Sequence, residues 1–435
     1  MFHSDVVQDL LDDRELSVLQ DFVTEFNPES PELSSYEDIA SYAPDIALAN
    51  AVVLSHTNAI RVSQLQHKSE LLVAKENLEH KTACSKLAIP ASTVPVPRSY
   101  AEAKASKFWP HWLNAIKSEF NSLITNGTWK YIKGKSHGRL LSTTWVFRVK
   151  EKEDGSIDRF KARLVVRGFL QVKGLDFNEV FAPVVRLESL RSLLGIANAM
   201  GLQAHQMDID TAFLNGLLSE KIGIYLPEGF LDYVSTLDTD AVTKLQLPDG
   251  DPSDLSLELV KSLYGLKQAP REWHKVLVQF LESINFTKST ADSCIYIRKT
   301  SSKLAIVAIY VDDLVLVAKD VGTIAELKSE IKSRFACKGM GPLHYVLGLR
   351  IQRNYGQSTL SIDQRLNALN MLRRFGLDKA HATDTPLKEA PLKEDASFEN
   401  ALKDDDFHSQ YRQAIGCLMY LMIGTRPDLD TLSKP

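Results

Sequence analysis

The sequence predicts an α+β fold, on three observations. Helical and strand patterns alternate along the chain, but without the regular strand–helix rhythm of a doubly wound sheet. Two segments, TTWVFRVKEKEDGSIDRFKARLVVRGF and IVAIYVDDLVLVA, read as antiparallel strand pairs joined by short turns. Amphipathic helices such as RLESLRSLLGIANAMG separate the strands and end on glycine.

With 435 residues, 44% of them hydrophobic, the chain can fill two or three cores. The first hundred residues differ in composition. NPESPELSSYED and IPASTVPVPRSY are Pro/Ser-rich, so residues 1–104 are expected to be a poorly structured acidic extension with one helix around 50–80. From Trp109, HWLNAIKSEFNSLITNG places Trp112, Ile116, Phe120, Leu123 and Ile124 on one helical face, and Asn126-Gly127 stop it. The first strand pair follows, around a Glu-Asp-Gly-Ser turn. LQAHQMDID reads as a short strand and TAFLNGLL as the start of a helix, with Asp210 placed to cap it near Thr211. A loop over residues 231–255 leads to LVKSLYGLKQAP and the helix REWHKVLVQFLESI. CIYIRK, IVAIYV and LVLVAK are strands, and ELKSEIKSRF is a helix. Trp109, Trp112, Trp129 and Trp145 are better explained as core aromatics than as ligand-stacking platforms.

Cys84, Cys294, Cys337 and Cys417 lie far apart with no CxxC pair, which argues against a zinc site or disulfide framework and suits a reducing compartment. MFHSDVVQDLLDD has no basic start or apolar core, so no signal peptide is expected. No apolar run approaches the roughly 20 residues of a membrane span. These features predict an intracellular protein that does not cross a membrane. The net charge of −4 hides an asymmetry: residues 1–50 carry twelve Asp/Glu against one Arg, a net of −11. Residues 130–173 carry twelve Lys/Arg against four Asp/Glu, a net of +8, which predicts a local polyanion-binding surface.

In Ile306–Ala318, eleven apolar residues flank Asp312-Asp313 and no cation accompanies them. Burying an unpaired carboxylate costs several kcal/mol, so this pair needs a reason. One reason is a surface turn, which aspartate favours. Against it, Asp-Gly or Asn-Gly suits a two-residue turn better, and adjacent like charges repel. HQMDID brings a further carboxylate to a strand end. Three carboxylates at strand ends beside a basic block are what two-metal phosphoryl transfer requires, and oxygen ligands suit magnesium.

YVDDL resembles the central motif of reverse transcriptases. NGTWKYI, WVFRVKEKEDGSIDRFKARLVVRGF, FAPVVRLESLRSLL, HQMDIDTAFLNG, LVKSLYGLKQAPREWHK, YVDDLVLVAKD, HYVLGLRI and YRQAIGCLMYLMIGTRPDL resemble, in order, the copia-type long-terminal-repeat retrotransposon polymerases. The resemblance implies a right-hand polymerase, with fingers and an antiparallel palm sheet over 105–350. A partial thumb or connection over 351–435 would lead to an RNase H domain for which the chain has no room. No integrase pattern is found in the first hundred residues.

The resemblance also implies an activity: DNA synthesis templated by RNA or DNA, onto a primer 3′-hydroxyl. Asp208, Asp312 and Asp313 match the ligands of two magnesium ions, or manganese in their place. Asp210 stands where the family often has lysine and is read as structural. Deoxynucleoside triphosphates, a template with primer, and other Pol segments such as integrase and RNase H are the implied partners. Lys161 and Arg163 share one face of RFKARLV, opposite Phe160, Ala162 and Leu164, and resemble the strand that holds the triphosphate. Arg159 and Arg167 lie in the same block, where a solvated strand face fits equally well. Phe213, five residues after Asp208, matches the aromatic beneath the incoming sugar, with a core aromatic as the alternative. Lys267 and Gln268 are expected at substrate or template, on a loop shaped by Gly265 and Pro270. Leu347 and Gly348 resemble the primer-grip turn, although Tyr345, Leu347 and Leu349 also fit a core strand. Two rivals from other classes stay open: a catalytically silent nucleic-acid-binding remnant, and a two-metal nuclease.

Overall fold

The computed structural model describes residues 89–134, 139–151, 156–245, 247–248, 254–300, 303–381 and 405–430. The helix expected around 50–80 and most of the Glu-Asp-Gly-Ser turn lie outside these residues. The packed region begins before residue 105, earlier than the composition implies. Ser99 caps α1 (Tyr100–Ala105) by accepting the Glu102 N–H, and Ala91, Val94, Tyr100 and Ala103 are buried. The Tyr100 hydroxyl donates to Asp232 at 2.9 Å, tying this segment to a helix far along the chain. Its prolines read as a linker, yet proline packs well wherever no ladder N–H is needed.

The helix α2 (Trp109–Thr125) buries Trp112, Ala115, Ile116, Phe120 and Leu123, the stripe its periodicity predicts. Next come β1 (Trp129–Lys133), β2 (Leu140–Leu141), and the antiparallel pair β3 (Thr143–Glu151) and β4 (Ile157–Val166). Phe160, Ala162 and Leu164 of β4 are buried, and Phe160 meets Trp112 edge to face at 4.6 Å. Trp112, Trp129 and Trp145 all lie in this first core.

After α3 (Leu187–Ala199) and β5 (Gln203–Ile209), the chain does not start a helix at TAFLNGLL. Ala212–Asn215 is a single 3-10 turn, and β6 (Leu217–Tyr225) follows. Thr211 is left-handed (φ 51°) and no side chain caps the turn, so the capping role expected of Asp210 is not realised. The span expected to be a loop holds α4 (Phe230–Val234) and α5 (Thr239–Lys244); Phe230, edge to face, and Tyr233, tilted, anchor α4 against Phe120. With β7 (Leu255–Lys261) a four-stranded sheet forms, in the order β1-β7-β6-β2.

The second core is built on a larger sheet. It follows α6 (Ala269–Ser283) and contains β8 (Thr287–Lys288), β9 (Ile295–Lys299), β10 (Leu304–Tyr310) and β11 (Asp313–Ala318). Next in the chain are α7 (Val321–Arg334) and β12 (Cys337–Pro342). The sheet order is β12-β5-β11-β10-β9-β8, so the carboxylate-bearing β5 lies between β11 and β12. Ala305–Ile309 and Leu314–Ala318 are buried without alternation, because both faces of the sheet are covered. Leucines of α3 and α6 and isoleucines of α7 supply that cover.

A three-stranded meander follows: β13 (Tyr345–Val346), β14 (Leu349–Asn354) and β15 (Thr359–Asp363). α8 (Arg365–Arg374) and α9 (Asp405–Gly424) complete the described fold. Cys294, Cys337 and Cys417 are free thiols. Among the described residues no helix is long and apolar enough to cross a membrane.

Candidate active site

Asp208, near the end of β5, is the register partner of Asp313, the first residue of β11. Directly opposed residues of antiparallel strands project from the same face, so the two carboxylates emerge side by side. Asp312 belongs to the two-residue turn with Val311 that joins β10 to β11. The turn is therefore Val311-Asp312, and Asp313 is already in the ladder, one residue away from an Asp-Asp turn. Val311 has φ 56°, a conformation unfavourable for a β-branched residue. Trp273 steadies it: the buried indole donates to the Val311 carbonyl at 2.7 Å. The Ile209 N–H donates to the Asp312 carbonyl at 2.9 Å, fixing the turn to the end of β5.

The electrostatics are those of an acidic site that Lys338, opposite Asp208, offsets only in part. Burial pushes the Asp208 carboxyl up, and Asp312, Asp210 and Asp313 push it further. Burial also raises Asp313, although Gln206 donates to it at 2.9 Å. Among the described residues, Lys338 pairs with Asp210 at 2.5 Å, and none of Asp208, Asp312 and Asp313 has an ion-pair partner. The described residues contain no ready-made cage of three or more ligating side chains. The chemistry of the donors nevertheless suits hard divalent cations: three partly exposed carboxylates, two of them register partners and the third in the adjoining turn.

The basic strand β4 stands near. Lys161 and Arg163 are partly buried on one face. Burial, with Arg163 and Arg159 close by, brings the Lys161 ammonium down to about 8. Lys150, on the partner strand β3, feels both Arg163 and the Asp208 carboxylate, so the cationic hairpin and the acids share one field. Arg163 places its guanidinium 5.0 Å from the Tyr264 ring centroid. Its Nε is buried and has no hydrogen-bond partner in the protein. Phe213 sits at the seam of the two cores, packed against both, and meets Tyr264 at 5.4 Å and 66°.

The other expected residues have contacts of their own. Gln268 is buried, its amide donating to the Asp176 carbonyl at 2.8 Å and accepting from Gln171 at 3.0 Å. Both ends of its side chain are thus committed within the protein. Lys267 is exposed; its Nζ donates to the Gln171 carbonyl at 3.2 Å and lies 4.8 Å from the Phe177 ring. Leu347 and Gly348 form the two-residue turn of the β13–β14 hairpin, both with positive φ (49° and 76°), as a type I′ turn requires. Tyr420 donates to the Leu347 carbonyl at 2.6 Å and Asn367 to the Gly348 carbonyl at 2.8 Å. The turn is therefore clamped by α9 and α8.

Comparison with known proteins gives this geometry its context. Residues 126–389 match the family described as reverse transcriptase (RNA-dependent DNA polymerase). The chain belongs to the reverse transcriptase family. It is 35% identical, over 336 residues, to the retrovirus-related Pol polyprotein from transposon TNT 1-94 of Nicotiana tabacum. That match covers 77% of this chain and 24% of the tobacco protein. The Pol polyprotein from transposon RE1 of Arabidopsis thaliana is 32% identical over 344 residues, covering 79% of this chain and 22% of its own. This reverse transcriptase chain spans about a quarter of the length of these curated relatives. The copia-type resemblance read from the motifs is confirmed.

Four residues around the site carry no signal of their place in the sequence alone. Tyr264 and Trp273 sit inside recognised motifs, but an aromatic beside a helix start looks like ordinary core. Lys338 of β12, the register partner of Asp208, pairs with Asp210 just past the end of β5, a relation invisible before the sheet order is known. Glu119 of α2 accepts the Leu164 N–H at 3.2 Å from the open edge of β4. Burial pushes its carboxyl up to about 7 despite Lys161 and Arg163 nearby. A lone Glu on a helix gives no signal of such a contact.

Proposed function

We propose that this chain is an RNA-directed and DNA-directed DNA polymerase of a retrotransposon, adding deoxynucleotides to a primer 3′-hydroxyl. The observation that carries the reading is the opposition of Asp208 and Asp313 across β5 and β11, with Asp312 in the adjoining turn. In this reading the six-stranded sheet is the palm, the β3–β4 hairpin belongs to the fingers, and residues 351–435 begin a thumb or connection.

Asp208, Asp312 and Asp313 would hold two magnesium ions, or manganese. Such ions supply charge stabilisation at the reacting phosphate and lower the pKa of the attacking hydroxyl. The protein's own part is positional. The Ile209–Asp312 backbone bond and the Trp273–Val311 bond hold the carboxylates in place before substrate arrives. Arg163 and Lys161 would bind the triphosphate oxygens, and Phe213 would lie beneath the sugar. Neutral Tyr264 and the apolar seam around Phe213 would limit water on that side. Leu347 and Gly348, clamped by α8 and α9, would hold the primer end, and exposed Lys267 would face template. Gln268 would brace its loop rather than touch substrate. Template with primer, deoxynucleoside triphosphates and other Pol segments are the proposed partners, in an intracellular setting.

Primer extension on purified protein tests the reading. Magnesium-dependent extension on RNA and DNA templates supports it. Binding of the duplex without extension favours the silent remnant, and degradation of labelled template without extension favours the nuclease.

A further inference from the structure

Tyr264 is placed between the two residues that would grip opposite ends of a nucleotide. It lies in the loop between β7 and α6, and its carbonyl accepts the Val166 N–H at 2.8 Å, continuing the bonding of β4 beyond its partner strand. The next residue makes this approach compulsory. Gly265 has φ 90°, and a Cβ there would run into the Val166 carbonyl and the Val165 side chain. The loop is thus pressed onto the strand that carries Arg163. On the other side, Ser262 donates to the Phe213 carbonyl at 2.7 Å, so the same segment holds the Phe213 backbone. The Tyr264 ring has the Arg163 guanidinium 5.0 Å from its centroid and the Phe213 ring 5.4 Å away, edge to face. Burial pushes its phenol up to about 12, so the ring is neutral at physiological pH.

We propose that Tyr264 is a positioning residue for nucleotide selection, its ring setting Arg163 and Phe213 at a fixed spacing. The inference rests on the reading in which Arg163 binds phosphate and Phe213 faces the sugar. A guanidinium on a flexible stem, with an unpartnered Nε, loses freedom when an aromatic face holds it. Less ordering is then left for the nucleotide to impose. The same rigid ring backs Phe213, so a sugar that pushes Phe213 aside must also displace Tyr264. Selection against a 2′-hydroxyl and affinity for the triphosphate are coupled through one side chain.

The test measures deoxynucleotide KM, kcat and the deoxy-over-ribo ratio of kcat/KM in Tyr264→Met and Tyr264→Phe. Arg163→Ala and Phe213→Val serve as references. Methionine keeps volume but removes the ring. Tyr264→Met is expected to raise KM about two- to fivefold, the scale of one cation–π contact. It should also lower the ratio, with the loss falling on KM and ratio rather than on kcat. Tyr264→Phe is expected to restore both, because ring face and edge make the contacts. In combination with Phe213→Val, the effect of Tyr264→Met on the ratio should be much less than additive. Should Tyr264→Met not fold, Tyr264→Trp carries the test: it keeps a face for Arg163, enlarges the ring behind Phe213 and should shift the ratio. Wild-type KM and ratio in a folded Met variant, or a wild-type ratio in Trp, overturn the inference while the references still respond. So does a Phe variant as impaired as Met. If Arg163→Ala and Phe213→Val themselves change nothing, the reading beneath it fails instead.

Discussion

Asp210, the residue after β5, forms an ion pair with Lys338 of β12 at 2.5 Å, next to Asp208, whose register partners are Lys338 on one side and Asp313 on the other. Two aspartates separated by one residue thus have different fates. Asp208 faces other carboxylates, and Asp210 already has its cation.

Substitution should expose that difference. Asp208→Asn is expected to lower primer extension by at least about a thousandfold, because a charge aimed at the reacting phosphate is lost. Asp210→Asn removes one partly exposed ion pair and should stay within about fivefold. Comparable losses in both variants, by steady-state primer extension, would contradict the assignment.

The Lys161 ammonium, brought down to about 8 by burial and by Arg163 and Arg159, is charged at pH 7 and loses its proton as pH rises through 8. The free enzyme's kcat/KM for deoxynucleotides should therefore decline on that limb. Lys161→Arg keeps the charge and should flatten it. A limb of equal slope in both enzymes would remove Lys161 from the triphosphate site.

Glu119 predicts a pH-dependent stability. Its carboxyl is pushed up to about 7 from an ordinary 4.5, so between those values the folded protein keeps a proton that the unfolded chain has released. Stability then falls as pH rises through that window. Glu119→Gln keeps an oxygen for the Leu164 N–H and cannot titrate. The variant should gain Tm relative to wild type as pH is raised from 5 to 7.5; a constant difference in melting temperature would refute this.

Gly348 cannot accept a side chain. Its φ is 76°, and a Cβ would collide with the Tyr420 hydroxyl that clamps the turn. Gly348→Ala should cost about 2 kcal/mol or more in denaturant unfolding, from backbone strain plus the lost clamp. Adding Tyr420→Phe should recover part of the loss.

Legibility from the sequence followed the range of the interactions. The Asp312-Asp313 hairpin was readable because two charges interrupt an apolar run, and the β4 face carrying Lys161 and Arg163 because strand alternation is local. Asp208 was found through a motif, but its opposition to Asp313 depends on a sheet order that places β5 between β11 and β12. TAFLNGLL misled because helix-forming residues follow a left-handed Thr211, which only tertiary contacts impose. Residues 89–104 and 230–244 were missed for a related reason: a few buried aromatics, Tyr100, Phe230 and Tyr233, hold segments whose average composition is that of loops. Gln268 was expected at the substrate, and only the structure shows both ends of its amide engaged by Asp176 and Gln171.

Primer extension on an RNA template, run with and without magnesium on wild type and on Asp208→Asn, bears most directly on the role given to the three carboxylates. The predicted result is extension by the wild type that requires the metal and disappears in Asp208→Asn while duplex binding persists. Extension that survives in Asp208→Asn, or a folded wild type that binds primer–template and magnesium yet adds no nucleotide, would contradict it.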